Sequence, residues 1–91
     1  MTADCRPRLA RRARLHFDRH AGQWLLLYPE RGLALNESAA AVVALLTGEH
    51  TVDVIVSRLR ADYPSADPRA LERDVVALLG RLRKRRLLDT V

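Results

Sequence analysis

The chain has 91 residues, 48% hydrophobic and 30% charged, a globular composition with room for one domain of typical size and not two. A single cysteine, Cys5, excludes an internal disulfide framework and a thiolate zinc site. The net charge of +5 points toward an anionic partner, yet it is unevenly spread: residues 1–19 carry +4, residues 20–80 carry −3 and residues 81–91 carry +4.

Residues 1–12 show no hydrophobic periodicity and include Pro7, so they are expected to form a flexible basic arm ahead of a single domain over 13–91. Residues 13–18 alternate apolar and polar, the period of a half-buried strand. Arg19, His20, Ala21 and Gly22 predict a turn, with Gly22 free to take a positive φ. Residues 23–28 follow as a second strand. Trp24, Leu26 and Tyr28 share one of its faces and Leu25 and Leu27 the other, so both faces are apolar. Pro29, Glu30, Arg31 and Gly32 predict the next turn, and residues 33–35 a short third strand.

Asn36 marks the change to helix. It is a good N-cap, Glu37 suits the first turn, residues 39–46 are strong helix material, and Gly48 is the expected stop. Thr51 caps a second helix whose Val52, Ile55, Val56 and Leu59 form one stripe. Asp67 and Pro68 open a third helix running to about Arg86, with Leu71, Val75, Leu78 and Leu82 as core stripe and Leu79 beside them. Arg69, Arg73, Val76, Gly80 and Arg83 lie on the opposite side, and Leu87-Leu88 is expected to fold back on the core. The expected fold is α+β and winged-helix-like: an N-terminal three-stranded antiparallel β-meander followed by three helices.

The sequence offers little for catalysis. His16 and His20 fall on a strand and in a turn, so their spacing of four does not present one metal-binding face. There is no nucleophile elbow and no glycine-rich phosphate loop, and Glu72 and Asp74 lack a general-acid partner, so they read as surface or ion-pairing residues. A non-enzymatic binder without a cofactor is expected. Binding is better supported. A strand apolar on both faces must cover the helices with one and meet a partner, the arm or another copy with the other. The third strand is also an edge, able to accept an extended peptide.

The run from Leu26-Leu27-Tyr28-Pro29-Glu30 through Gly32-Leu33-Ala34-Leu35-Asn36 resembles the signature of the pyrroloquinoline quinone biosynthesis protein D family. Gly48, Thr51, Val52, Ile55, Val56 and Leu59, then Asp74, Val75, Leu78, Leu79 and Leu82, resemble its two downstream segments, and Arg6-Pro7 and Arg14-Leu15 are similar to its opening. Thr47 departs from the family's usual Asp before Gly48. The resemblance spans about residues 6–89. It implies a non-catalytic peptide chaperone that binds the ribosomally made precursor peptide of pyrroloquinoline quinone and presents it to a radical S-adenosylmethionine (SAM) enzyme for linkage of a Glu and a Tyr. It also implies strand addition beside the third strand and third helix.

The residues expected to take part are Gly32, Leu33, Ala34 and Leu35 for backbone pairing, and Val76, Leu79 and Gly80 as the helix wall. Arg69 and Arg73 are placed by geometry to meet acidic groups. Two alternatives remain open at this stage. One is a winged-helix nucleic-acid binder, disfavoured because the second helix offers only Arg58 and Arg60 against Asp53 and Asp62. The other is a homodimeric interaction module. No apolar run approaches the roughly 18–20 residues of a membrane span, and no apolar stretch follows the N-terminal arginines, so a cytoplasmic location is expected.

Overall fold

The computed structural model describes residues 5–29 and 31–90. Within them the chain runs β1 (Pro7–Leu9), β2 (Arg14–Asp18), β3 (Gln23–Tyr28), β4 (Arg31–Leu35), α1 (Glu37–Ala44), α2 (Val52–Asp62), α3 (Pro68–Lys84) and β5 (Leu88–Thr90). The expected meander and three helices are present, and the fold is α+β. The sheet has the order β2-β3-β4, all antiparallel, with Leu15 opposite Leu26 and Leu26 opposite Leu33. Asp18 Oδ1 accepts from the backbone N–H groups of His20 and Ala21, and Gly22 has φ +62°, so the first turn forms as its residues suggest. The second turn includes Glu30, and the arm includes residues 1–4; both lie outside the described residues.

The face of the sheet carrying Leu15, Trp24, Leu26, Tyr28, Leu33 and Leu35 lies against the helices. Leu26 is fully buried there, with Ile55, Leu59, Val75 and Leu82 from the helices. The helix starts are set by side-chain caps. Asn36 Oδ1 accepts from Ala39 N at 2.8 Å, Thr51 Oγ1 from Val54 N at 3.3 Å, and Asp67 Oδ1 from Arg69 N at 3.1 Å. Each such cap contributes about 1 kcal/mol. α1 stops earlier than expected, at Ala44, and Gly48 is not its terminator. Gly48 sits instead at φ +85° in the following loop, where an added Cβ would meet the Arg8 side chain at 3.4 Å.

The flexible arm expected over residues 1–12 is corrected from Pro7 onward. β1 pairs antiparallel with β5, placing Leu9 opposite Leu88. Leu9 N donates to Leu46 O at 2.9 Å, Gly48 N to Pro7 O at 3.2 Å, and Ala10 N to Leu87 O at 2.8 Å. These partners are 37 to 79 residues away in sequence, so a reading of local periodicity contains no sign of them. The strands exist because α3 ends sharply. Leu87 N donates to Leu82 O and Arg86 N to Arg83 O, the two bonds of a Schellman motif, with Arg86 left-handed at φ 58°. Leu82 and Leu87, the pair that such a motif brings into contact, are both fully buried.

Leu82→Ala is therefore expected to remove both core volume and the contact that turns the chain back. A loss of about 2–5 kcal/mol in unfolding free energy is expected by denaturant titration. A loss below about 1 kcal/mol would mean that this junction is not a structural anchor.

Candidate functional site

Among the described residues β4 pairs with β3 alone, so its other side is an unpaired sheet edge. Its C-terminal end is pinned by a side chain that sequence reasoning missed: Gln23 Nε2 donates to Leu35 O at 2.7 Å and to Trp24 O at 3.1 Å. The pleat places Arg31, Leu33 and Leu35 on the helix side and Gly32 and Ala34 on the outer side. Leu33 is half-buried and Leu35 fully so, while Gly32 and Ala34 are exposed.

Across from this edge stands α3. Two points fix how strand and helix face each other. At the Leu35 end, Asn36, Ser38 and Ala39 share a hollow of about 230 Å³ with Asp74, Ala77, Leu78 and Arg81. At the Arg31 end, Arg85 Nη1 donates to the Tyr28 hydroxyl at 3.0 Å. Between these two points the edge of β4 and residues 74–85, the second half of α3 and its cap, run in opposite chain directions, and the space beside them is a candidate groove whose hollow is lined from α1, α2, α3 and Asn36 and by no residue of β4. Asp74 lies toward one end and Arg81 and Arg85 toward the other, so the groove is polar in charge along its length.

The structure brings together only part of the expected site. Gly32, Leu33, Ala34 and Leu35 lie on the edge strand β4, and none of them lines the hollow. On the helix, about 100° per residue puts Asp74, Ala77 and Arg81 about 60–120° to one side of Leu71, while Arg69, Arg73, Val76 and Gly80 lie about 140–200° away. None of these last four lines the hollow. Val76 is 56% exposed, and Gly80 has open space where a Cβ would stand. Leu79 is 2% exposed and belongs to the core, because it borders the Leu71–Leu82 stripe. The exposed α3 residues that do line the hollow, Asp74, Ala77 and Arg81, flank the other border of that stripe. The sequence signal for them was their adjacency to Asn36, which requires knowing on which side of α3 the sheet lies.

Among the described residues, no group of three or more His, Cys, Asp or Glu could hold a metal ion. His16 and His20 are exposed and Cys5 half-buried. No helix among these residues is long and apolar enough to cross a membrane.

The family profile described as coenzyme PQQ synthesis protein D (PqqD) matches residues 23–88, which covers β3 through the first residue of β5. The chain belongs to this family. It is 44% identical over 75 residues to a PqqA binding protein of Rhodopseudomonas palustris, covering 82% of this chain and 72% of that one. It is 40% identical over 83 residues to the bifunctional coenzyme PQQ synthesis protein C/D of Methylorubrum extorquens, covering 91% of this chain but only 22% of that longer protein. The solution structure of the PqqD truncation of Methylobacterium extorquens PqqCD has a TM-score of 0.77 at 40% identity, covering 91% of this chain and 87% of that one. It is described as a functional and stand-alone recognition element for ribosomally synthesized and post-translationally modified peptides. TbiB1 in complex with the TbiA(beta) leader peptide shares the fold, with a TM-score of 0.73 at 21% identity, covering 90% and 94% of the two chains. The family's usual Asp before Gly48 is replaced by Thr47, whose Oγ1 accepts from Glu49 N at 3.2 Å and so makes a turn contact of its own.

The geometry of the edge has a direct dynamic consequence. Amides of β4 that point away from β3 are expected to exchange with solvent far faster than those of β3, which has a bonded strand on each side. Hydrogen exchange followed residue by residue checks this. Uniform protection across β4 would show that its outer edge is already covered.

Proposed function

We propose that this chain captures the ribosomally made precursor peptide of pyrroloquinoline quinone and holds it for a radical SAM enzyme that joins a Glu and a Tyr of the peptide. The peptide adds as a strand to β4, over residues 31–35, and sets side chains against Asp74, Ala77, Leu78 and Arg81 of α3. The observation that carries this reading is the unpaired edge of β4 facing an open helix wall, in a chain of the PqqD family. Two comparisons support it: the relative from Rhodopseudomonas palustris is named for binding PqqA, and a protein of the same fold has been solved with a leader peptide. The fusion of a related segment to a second PQQ synthesis protein supports delivery to an enzyme.

The energetics fit a carrier. Ordering each residue of a flexible peptide costs about 1–2 kcal/mol, and each backbone hydrogen bond returns about 0.5–1.5 kcal/mol net. Strand pairing alone therefore roughly breaks even. The surplus comes from apolar side chains buried beside Leu33, Ala77 and Leu78, a modest area that suits capture followed by release. In this reading the chain does no chemistry on the peptide. Leu25 and Leu27 on the outer sheet face are half-buried, and that face is where a second copy would pair if a homodimer accompanies this role.

Titration of a PQQ precursor peptide into isotope-labelled protein is expected to shift the amides of residues 31–35 and of 74, 77, 78 and 81. Ala77→Glu puts a charge on the groove wall and is expected to weaken binding more than about tenfold, the equivalent of about 1.4 kcal/mol. Val76→Glu, on the far side of α3, is expected to bind as the wild type does. The converse result, with Val76→Glu defective and Ala77→Glu normal, would move the site to the other face of the helix. Cross-linking by the radical SAM enzyme in a reconstituted reaction is expected to fall when Ala77→Glu replaces the wild type.

A further inference from the structure

β2 is the other edge of the sheet. Among the described residues it pairs with β3 alone, so its far side is a second unpaired edge. The two edges differ in sequence. β4 carries one charge, Arg31, and no counter-charge. β2 carries opposite charges at its two ends, Arg14 and Asp18, with His16 midway between them. The pleat puts Leu15 and Phe17 on the helix side, where Leu26 and Trp24 are their partners on β3. Arg14, His16 and Asp18 lie on the outer side.

Two further observations single out this edge. Phe17 is 41% exposed, although its ring meets Trp24 edge-on with centroids 4.9 Å apart. On the side away from Trp24 it has no cross-strand neighbour. The second is a largely apolar hollow of about 440 Å³ on the helix side of the sheet. Leu15 and Trp24 line it from the sheet, the small side chains of Ala40, Ala41 and Ala44 from α1, and Tyr63 from the end of α2.

A strand with this sequence is complementary to itself. Consider antiparallel pairing of two such strands about a two-fold axis through His16. Arg14 then stands opposite Asp18 of the second copy, and Asp18 opposite its Arg14. Leu15 stands opposite Phe17 of the second copy, and Phe17 opposite its Leu15, both on the helix side. Opposite charges and aromatic–aliphatic pairs are combinations that stabilise antiparallel sheets. An axis through Leu15 or Phe17 leaves part of the strand without a partner and parts Arg14 from Asp18. A slip by one residue sets apolar side chains against the wrong face.

We infer that a second copy of this chain occupies the β2 edge, joining two three-stranded sheets into one about a two-fold axis through His16. Phe17 of each copy then stands beside the Leu15 wall of the other's hollow. The same patch serves both partners, as a closed dimer requires. Asp18 is held ready for its role, because its Oδ1 accepts from the N–H groups of His20 and Ala21 and so fixes the carboxylate at the strand end. A copy is favoured over a foreign peptide by charge complementarity: this chain's own strand answers Arg14 and Asp18 together. The contact is separate from the Leu25 and Leu27 face, which it leaves open. It also leaves β4 at the two outer ends of the joined sheet, so pairing at β2 and peptide capture at β4 are independent.

Sedimentation equilibrium of the full chain tests this. A five-residue edge buries less than the roughly 1,200–2,000 Å² of a tight complex. Reversible growth from monomer to dimer is therefore expected between about 1 µM and about 1 mM, with the amides of residues 14–18 shifting as concentration rises. Arg14→Asp sets carboxylates opposite each other on both sides of the axis and is expected to weaken the dimer at least about tenfold. Asp18→Arg sets guanidinium groups opposite each other and is expected to do the same. An equimolar mixture of the two variants is expected to restore association, because each supplies the charges that the other lacks. Phe17→Ala is expected to weaken the dimer while leaving its charges in place. Should Asp18→Arg fold poorly for want of its turn bonds, Arg14→Asp and Phe17→Ala leave that turn intact and carry the test.

A monomer mass throughout the range would overturn the inference. So would a dimer indifferent to Arg14→Asp and Phe17→Ala, since the copies would then meet elsewhere, with the Leu25 and Leu27 face first in line. Dissociation of the dimer by a PQQ precursor peptide would also overturn it, since the peptide would then be taking the β2 edge.

Discussion

Everything proposed for this molecule depends on one constraint: a three-stranded sheet must leave the outer backbone groups of its last strand unpaired. In most proteins such an edge is a hazard, because any extended chain can complete it. Here the hazard is limited by geometry. β4 is five residues long, begins at Arg31, contains Gly32, and has its last carbonyl engaged by Gln23. Indiscriminate edge-to-edge growth is discouraged by brevity and charge, while a peptide that also satisfies the helix wall gains a second set of contacts. In the proposed binding mode, selectivity lies in α3 and availability in β4.

For α3 to serve as that wall, it has to stand away from the strand edge along its length and yet be held rigidly at both ends. The Asp67 cap and Pro68 fix where it starts. Its other end is held by the Schellman reversal, by the buried pair Leu82 and Leu87, and by β5 locked against β1. β1 also bonds to the loop after α1 through Leu46 and Gly48. One short N-terminal strand thus ties the end of α3 to the end of α1. A chain of this size buries too little surface to rely on core volume alone, so such cross-ties carry a large share of the positional definition of the groove.

Much of the fold was legible in the sequence because its signals are local. Alternation over 13–18 and 23–28, the turn at Gly22, and the caps Asn36, Thr51 and Asp67 each act within a few residues, and each is found where its chemistry puts it. β1 and β5 were not legible, since three-residue strands carry no period and their partners are distant. The end of α1 was misplaced because Gly48 looks like a helix terminator, whereas its left-handed φ serves contact with Arg8. The site was half legible. The strand wall follows from edge position alone. The helix wall does not: periodicity separates a core stripe from an exposed face, but the groove lies on the narrow border between them. Val76 and Gly80 lie on the far side of α3, while the border that shares a hollow with the start of α1 holds Asp74, Ala77 and Arg81.

The charge distribution takes on a different meaning in three dimensions. Two terminal segments of +4 each, separated by a body of −3, suggest in sequence two independent basic tails. In the folded chain β1–β5 pairing and the Arg12 bonds to Arg85 and Arg86 make them one surface. Gathering like charges works against compaction, and an arginine in left-handed backbone adds a local cost. A nucleic-acid reader would distribute its cations along a helix face presented to a duplex. α3 instead carries Asp74 in the hollow it lines and gathers Arg81, Arg83 and Lys84 in its last turn, where the helix dipole favours cations.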